Sequence, residues 1–422
     1  MRLCAEDASF MKIRPLSFSA ITIVLWAVQG LTVHAQERPV VQGLVEAEEE
    51  APLLGDHGRR QLSDDGYTIE ALAIHDIWGN ARGGKYRGVG VLGNFNLILT
   101  VDTAKAGWWD DGELVLYGIG VYGRRPSLAV GDYQYTSNVD AFDTVEPYEA
   151  YYKHRFLDGS VDVLAGVHDF SIEFSIIDYG FVFINSSFFT PSTITQNPYS
   201  FYPFTGLGTR VRADITDDVY LMAGVYDGKP GDFQNPRAAR LGLSKREGFY
   251  SISEVGWVES DESKPHAKIA FGAWHNSGDF EDINGVGRSS NYGTYLIGER
   301  QIWQEVDGSS QGLGAFFQVG QAQADRNFNP WYFGGGLHYK GFFEGRDEDV
   351  LGFGYAHAEV SSAFRLDNPR ADHSERTFEL CYRAQVVRAV TVTPDIQYVV
   401  NPSMNPDLAN SLIFYLRTEV AL

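Results

Sequence analysis

From Tyr67 to Leu422 the chain repeats one texture: segments of roughly 8 to 14 residues alternate apolar and polar side chains, then break at Gly, Asp, Asn, Ser or Pro. The last segment shows the pattern. Leu412, Phe414, Leu416, Thr418, Val420 and Leu422 share one face, while Tyr415, Arg417 and Glu419 share the other. Between Glu375 and Arg388, Phe378, Leu380, Tyr382, Ala384 and Val386 oppose Glu379, Cys381, Arg383 and Gln385. In Gly206–Asp214, Leu207, Thr209, Val211 and Ala213 oppose Arg210, Arg212 and Asp214. A period of two with one apolar face describes a half-buried strand, and a helical period cannot satisfy it.

Sixteen such segments are counted, at approximately 67–77, 88–102, 112–122, 147–156, 160–168, 206–214, 218–227, 248–258, 266–275, 291–304, 312–322, 331–342, 349–360, 375–388, 391–400 and 411–422. The connections discriminate between sheet architectures. Those after even-numbered segments are mostly tight: Leu157-Asp158-Gly159, Ile215-Thr216-Asp217, Val306-Asp307-Gly308-Ser309 and Arg388-Ala389. Those after odd-numbered segments are mostly longer, at Gly123–Glu146, Asp169–Thr205, Gly228–Glu247, Ser361–Ser374 and Asn401–Asn410. Short turns on one rim and long loops on the other, around an even number of antiparallel strands, are the pattern of an outer-membrane barrel. A sandwich has no reason to sort its loops by length, and no blade repeat marks a propeller.

The physical logic is closure. Lipid cannot hydrogen-bond a backbone, so a sheet in a bilayer must have no edges, and sixteen strands enclose a water-filled lumen. The fold class is therefore all-β, a transmembrane antiparallel β-barrel of about 16 strands over residues 67–422. The apolar face meets lipid, where a charge costs about 2 to 4 kcal/mol at mid-bilayer, and the polar face lines the lumen. Arg210, Arg212, Asp214, Glu379, Arg383, Arg417 and Glu419 are expected inside. Trp108, Trp109, Trp257, Trp303 and Trp331 lie near segment ends, where an aromatic girdle is expected.

The N-terminal region is different. Lys12 and Arg14 precede an apolar run from Ile21 to Val28 that ends in Val33-His34-Ala35, the anatomy of a secretory signal peptide over residues 1–35, with Met11 as an alternative start. Residues 36–66 read as an acidic flexible segment carrying Glu46-Ala47-Glu48-Glu49-Glu50. Past Ala35 no window approaches the ~18 to 20 apolar residues of a spanning helix. A formal charge of -21 argues against a nucleic-acid partner. Loss of the leader would leave Cys381 as the sole cysteine, so neither an intramolecular disulfide nor a Cys-rich metal site is expected.

No enzyme motif survives inspection. Gly308-Ser309-Ser310-Gln311-Gly312 matches a nucleophile elbow but precedes a strand, not a helix. Gly118-Ile119-Gly120-Val121-Tyr122-Gly123 matches a dinucleotide fingerprint, but Arg124-Arg125-Pro126 follows in place of a phosphate-binding helix. The ten His residues form no credible zinc set, and no catalytic residue, metal or cofactor is expected. The segment suited to a functional role is Asp169–Thr205, whose Phe170, Phe174, Tyr179, Phe181, Phe183, Phe188 and Phe189 are too apolar to sit free in water. Folding back into the barrel would bury these rings and narrow the pore; the alternatives are a loop folded over the rim or buried in an oligomer contact.

The sequence resembles the carbohydrate-selective porin family of Gram-negative outer membranes, the OprB type. The likeness runs from about Tyr67 to the C-terminus, with landmarks at Asn80-Ala81-Arg82-Gly83-Gly84 and Tyr86-Arg87-Gly88, then Val130-Gly131-Asp132-Tyr133-Gln134 with Ser137-Asn138. It continues through Phe156-Leu157-Asp158-Gly159, Gly166, Glu173-Phe174, Phe183-Ile184-Asn185-Ser186-Ser187-Phe188 and Val225-Tyr226-Asp227-Gly228. Gly345-Arg346-Asp347-Glu348-Asp349-Val350-Leu351-Gly352-Phe353-Gly354 and Gln397-Tyr398-Val399-Val400-Asn401-Pro402 complete it. The resemblance implies a sixteen-stranded outer-membrane channel for passive uptake of carbohydrates, monosaccharides such as glucose, into the periplasm, with an in-folded loop constricting the pore. Two positions depart from the family pattern: Leu422 stands where such barrels usually end in an aromatic, and Tyr151 where a Trp is expected.

Selectivity in such a pore would come from width, opposed charges and aromatic faces. The residues expected to contact solute are Asp169, Glu173, Phe174, Asp178, Phe181 and Asn185 on the loop, with Arg210 and Arg212 on the sixth segment. The alternatives are a general or other-solute porin, and a barrel whose surface loops bind a partner. Outer-membrane lipid and permeating sugars are the expected partners, with a homo-oligomer, a trimer, by analogy with other sixteen-stranded porins.

Overall fold

The computed structural model describes residues 61–197, 199–231, 247–261 and 263–421. The expected leader, most of the acidic segment and Leu422 lie outside the described residues. The first eight strands are β1 (Tyr67–Gly84), β2 (Gly88–Asp102), β3 (Gly112–Gly123), β4 (Thr144–Phe156), β5 (Val161–His168), β6 (Gly206–Asp214), β7 (Val219–Asp227) and β8 (Phe249–Val258). The second eight are β9 (Ala267–Glu281), β10 (Gly287–Gln304), β11 (Gly312–Ala322), β12 (Trp331–Lys340), β13 (Val350–Glu359), β14 (Ser374–Val387), β15 (Val390–Val400) and β16 (Ala409–Ala421). Each pairs antiparallel with its neighbours in the chain, and β1 pairs with β16, so the sheet is a closed barrel.

Register puts the two faces where the alternation requires. Ile77 pairs with Leu416 on one side and Val91 on the other, and all three point outward, 53%, 42% and 46% exposed. Their neighbours Asp76 and Arg417 also pair directly but point inward, joined by two hydrogen bonds of 2.7 and 2.8 Å across the closing seam. Phe378 and Leu380 face out while Glu379 and Cys381 face in. A slip of one residue would exchange these sets, so burial fixes the register.

At the short-turn rim the outer wall carries linked aromatic rings. Trp109 donates its indole N–H to the Tyr152 hydroxyl at 2.6 Å, and Trp303, Tyr339, Phe342, Phe343 and Tyr382 form a chain of ring contacts between 4.9 and 6.0 Å. A β-bulge between Gln301 and Trp303 turns both Ile302 and Trp303 outward. This is the girdle geometry of a membrane interface.

Two connections on the opposite rim, residues 124–143 and 169–205, fold into the barrel. Glycine makes room for the second. Along β11 to β13 the inward positions include Gly314, Gly320, Gly336, Gly352 and Gly354. A Cβ at Gly354 would lie 2.5 Å from Cζ of Phe188, and one at Gly352 would lie 2.8 Å from Cγ1 of Val182. Phe170, Phe174, Ile177, Val182, Phe183, Phe188 and Ile194 therefore pack against the wall and form one apolar core with Tyr226, Tyr250, Trp274, Tyr295, Phe316 and Tyr332. The expected in-folding of this loop is what the structure has, and burial of seven apolar side chains at about 1.5 to 3 kcal/mol each explains it.

Candidate functional site

The inward loops have few regular hydrogen bonds of their own. Their backbone N–H groups need acceptors in a site with little water, since an unmade buried bond costs about 1 to 3 kcal/mol. The wall supplies carboxylates. Glu149 on β4 accepts the N–H of Asp169 at 2.7 Å. Glu254 on β8 accepts the N–H of Ser175 at 2.8 Å and the hydroxyls of Tyr220 and Tyr295 at 2.6 and 2.7 Å. Glu299 on β10 accepts from Asp178 and Tyr179 at 3.1 and 2.8 Å, and Glu379 on β14 from Ile184 and Asn185 at 2.5 and 3.1 Å. Glu375 on β14 does the same for the other loop, taking the N–H groups of Tyr133 and Gln134 at 2.7 and 2.9 Å. The two loops also hold each other: Asn138 donates to the Ile184 carbonyl at 2.8 Å, and Ser186 to that of Tyr135 at 3.0 Å.

The turns within the longer loop are capped by its own side chains. Asp169 accepts the Ser171 N–H at 2.7 Å, and Asn185 accepts that of Ser187 at 3.0 Å, each opening a 3-10 turn. Asp169 also accepts from the Tyr148 hydroxyl and the Tyr202 N–H. Burial pushes its carboxyl above the ordinary range, against the lowering effect of those bonds.

Toward the short-turn rim the lumen is lined by opposed charges. Lys153 pairs with Glu113 at 2.7 Å, Arg212 with Asp214 at 2.9 Å, and Arg383 with Glu419 at 2.8 Å. The Arg212 guanidinium also lies 4.4 Å from the Tyr220 ring centre. Arg210 is held between Asp162 on β5 and Glu173 on the loop, linking the constriction to the wall. His266 lies 3.3 Å from Glu299 and 3.9 Å from Asp178. Burial opposes its charge, but the hydrogen bond to Glu299 and the two carboxylates outweigh burial and hold its pKa above the usual value.

The sequence-derived residues thus divide. Glu173, Asp178, Phe181 and Arg212 are partly exposed, while Arg210 is buried between Asp162 and Glu173. Asp169, Phe174 and Asn185 are buried where the loop meets the wall: Phe174 is 0% exposed, and the Asn185 amide donates to Gln397 at 3.2 Å. Two groups of metal-ligand types occur, Asp178, His266 and Glu299, and Glu379, Cys381 and Asp395. In each, the glutamate already accepts two backbone N–H groups of the loop.

The profile of the carbohydrate-selective porin, OprB family, matches residues 87–422. The chain belongs to that family. Porin B of Pseudomonas aeruginosa is 20% identical over 299 residues, covering 63% of this chain and 66% of its own, so the match spans just under two thirds of that relative. A putative porin, QuiX, of Acinetobacter baylyi is 23% identical over 399 residues, covering 83% of this chain and 88% of its own. The high-pH structure of OprB from Pseudomonas putida shares the fold with a TM-score of 0.77 at 21% identity, over 87% of this chain and 96% of that one. Its low-pH structure gives 0.59 at 19% identity.

Within this member of the family, sequence reasoning missed the inward fold of residues 124–143 and the row of wall glutamates. The glutamates had a signal. Glu254, Glu299, Glu375 and Glu379 each sit on the polar face of a strand, and a carboxylate there can hold a loop as readily as it can face a solute.

Proposed function

We propose that the protein is an outer-membrane porin through which small neutral carbohydrates, monosaccharides such as glucose among them, diffuse passively into the periplasm. The observation that carries this reading is the setting of Arg210 between Asp162 and Glu173, with the pairs Lys153–Glu113, Arg212–Asp214 and Arg383–Glu419 around it. Charges neutralised in pairs offer hydrogen-bond donors and acceptors without a strong net field. Such a lining replaces the hydration of hydroxyl groups and gives no large preference to either sign of ion. Glu173, Asp178 and Arg212 are the proposed polar contacts and Phe181 a stacking face, while buried Arg210 positions Glu173, and Asp169, Phe174 and Asn185 hold the loop in shape.

The test is single-channel conductance of the refolded protein in a planar bilayer, titrated with glucose and then other sugars. Saturable block of a stepwise current supports the reading. Conductance indifferent to every sugar leaves a general porin, and folded protein without conductance overturns the channel.

A further inference from the structure

We propose that the β1–β2 hairpin tip, with Arg124 beside it, is a docking site for the phosphate groups of outer-leaflet glycolipid. The chain carries 55 acidic against 34 basic residues, yet this sector of the long-loop rim presents Arg82, Lys85, Arg87 and Arg124 within a few residues of β1, β2 and β3. All four are exposed, and among the described residues none forms an ion pair. Elsewhere the arginines are mostly paired: Arg125 with Asp140, Arg288 with Asp282, Arg346 with Asp349 and Arg370 with Asp407.

The tip is built, not loose. Gly83 and Gly84 both adopt positive φ, 70° and 67°, and turn the chain. The Asn80 amide donates to the carbonyls of Gly83 and Tyr86 at 3.0 and 2.8 Å. The N–H groups of Lys85 and Tyr86 both donate to Ala129, in the short helix Pro126–Val130. Arg124 is fixed at three points: its N–H donates to Val91, its carbonyl accepts from the Trp78 indole at 2.8 Å, and one guanidinium nitrogen reaches the Val89 carbonyl at 3.3 Å.

What lies beside these cations identifies the occupant. Tyr86, Val89, Val91 and Tyr122 are exposed on the outer wall, continuous with the lipid-facing row through Ile77. A ligand fitting both features has acyl chains against the wall and anionic groups above them. Cations at a membrane surface attract anionic headgroups, and arginine matches phosphate oxygens in bidentate geometry. The proposal rests on the placement of the long-loop rim outside the cell and goes beyond the solute path.

The experiment measures binding of the refolded full chain to vesicles of phosphatidylcholine doped with purified rough lipopolysaccharide, and to vesicles doped with the same material after phosphate removal. The comparison protein carries Arg82→Gln, Lys85→Gln, Arg87→Gln and Arg124→Gln together. The wild type is expected to prefer the phosphorylated vesicles, and the variant to lose that preference by on the order of a thousand-fold. A single Arg87→Gln variant, changing an exposed side chain only, should show an intermediate loss. Conductance of both variants in a neutral bilayer reports that the barrel is formed and tests the channel separately. Equal binding by wild type and variants, or equal binding with and without phosphate, overturns the proposal.

Discussion

Glu379 and Asn185 meet across the lumen wall: the carboxylate on β14 accepts the backbone N–H of Asn185 at 3.1 Å, and that of Ile184 beside it at 2.5 Å. The contact joins residues far apart in the chain and gives the constricting loop a defined height in the pore. Its neighbours Glu149, Glu254 and Glu299 do the same at other points of the loop. The aperture is thus set by acceptors on the wall as much as by the loop's own sequence.

Replacing Glu379 by Gln keeps the volume but halves the acceptor capacity facing two N–H donors. We expect a loss of about 1 to 3 kcal/mol at this anchor, noisier open-channel current and weaker sugar block. Single-channel recording with and without glucose checks this. A current trace identical to wild type would show that Glu379 does not hold the loop.

Gly354→Val is expected to displace Phe188 without opening the barrel. The new Cβ would stand 2.5 Å from the ring, and overpacking of this kind costs about 1 to 3 kcal/mol. Valine otherwise suits a strand, so sheet formation is not impaired. Limited proteolysis should cut the variant within residues 169–205 faster than wild type. Equal resistance would mean that the wall tolerates the side chain.

Arg210→Ala leaves Asp162 and Glu173 facing each other with no cation between them. Removing one member of a buried pair costs about 3 to 5 kcal/mol, and the exposed negative charge should shift the pore toward cations. Reversal potential in a salt gradient measures the shift. Arg210→Lys should recover only part of it, because one ammonium cannot match two carboxylates as a guanidinium does. No change in selectivity in either variant would show that Arg210 does not set the charge balance of the pore.

Asp132 on the first inward loop is buried, and burial, then Glu375 and Asp140, push its carboxyl well above the ordinary range. Its folded-state pKa therefore exceeds the unfolded value near 3.9. The folded chain holds the proton more tightly, so this group's contribution is fully present below the unfolded pKa and is lost as pH rises through the folded value. Asp132→Asn should remove that loss and raise stability at neutral pH relative to wild type. Urea unfolding at pH 5 and pH 8 checks it. Parallel curves at both pH values for the two proteins would refute it.

All sixteen strands were legible in the sequence because lipid on one side and water on the other enforce an alternation of two. The readings were short where that contrast ends. β9 runs to Glu281 and β10 starts at Gly287, beyond the expected 275 and 291. Past His275 the exposed positions are Ser277, Asp279 and Glu281, so no apolar face marks the strand. β1 likewise continues to Gly84. For the constriction, an aromatic loop signalled burial but not which side chains would face the wall. Phe174 and Phe181 look equivalent in sequence, yet Phe174 is buried and Phe181 is not, and the room left by the glycines at 352 and 354, which takes Val182, Phe183 and Phe188, shows only once the barrel is closed.

The seat of the constricting loop has a consequence for assembly. The loop lies in the first half of the chain, whereas Glu379 is 195 positions beyond Ile184, and Glu375 is 241 beyond Gln134. The loops can seat only when β14 is in place, so the narrow pore is complete only once the circle is closed. Channel size is then a late reporter of folding: a wide, sugar-insensitive current would mark barrels that closed without seating the loop.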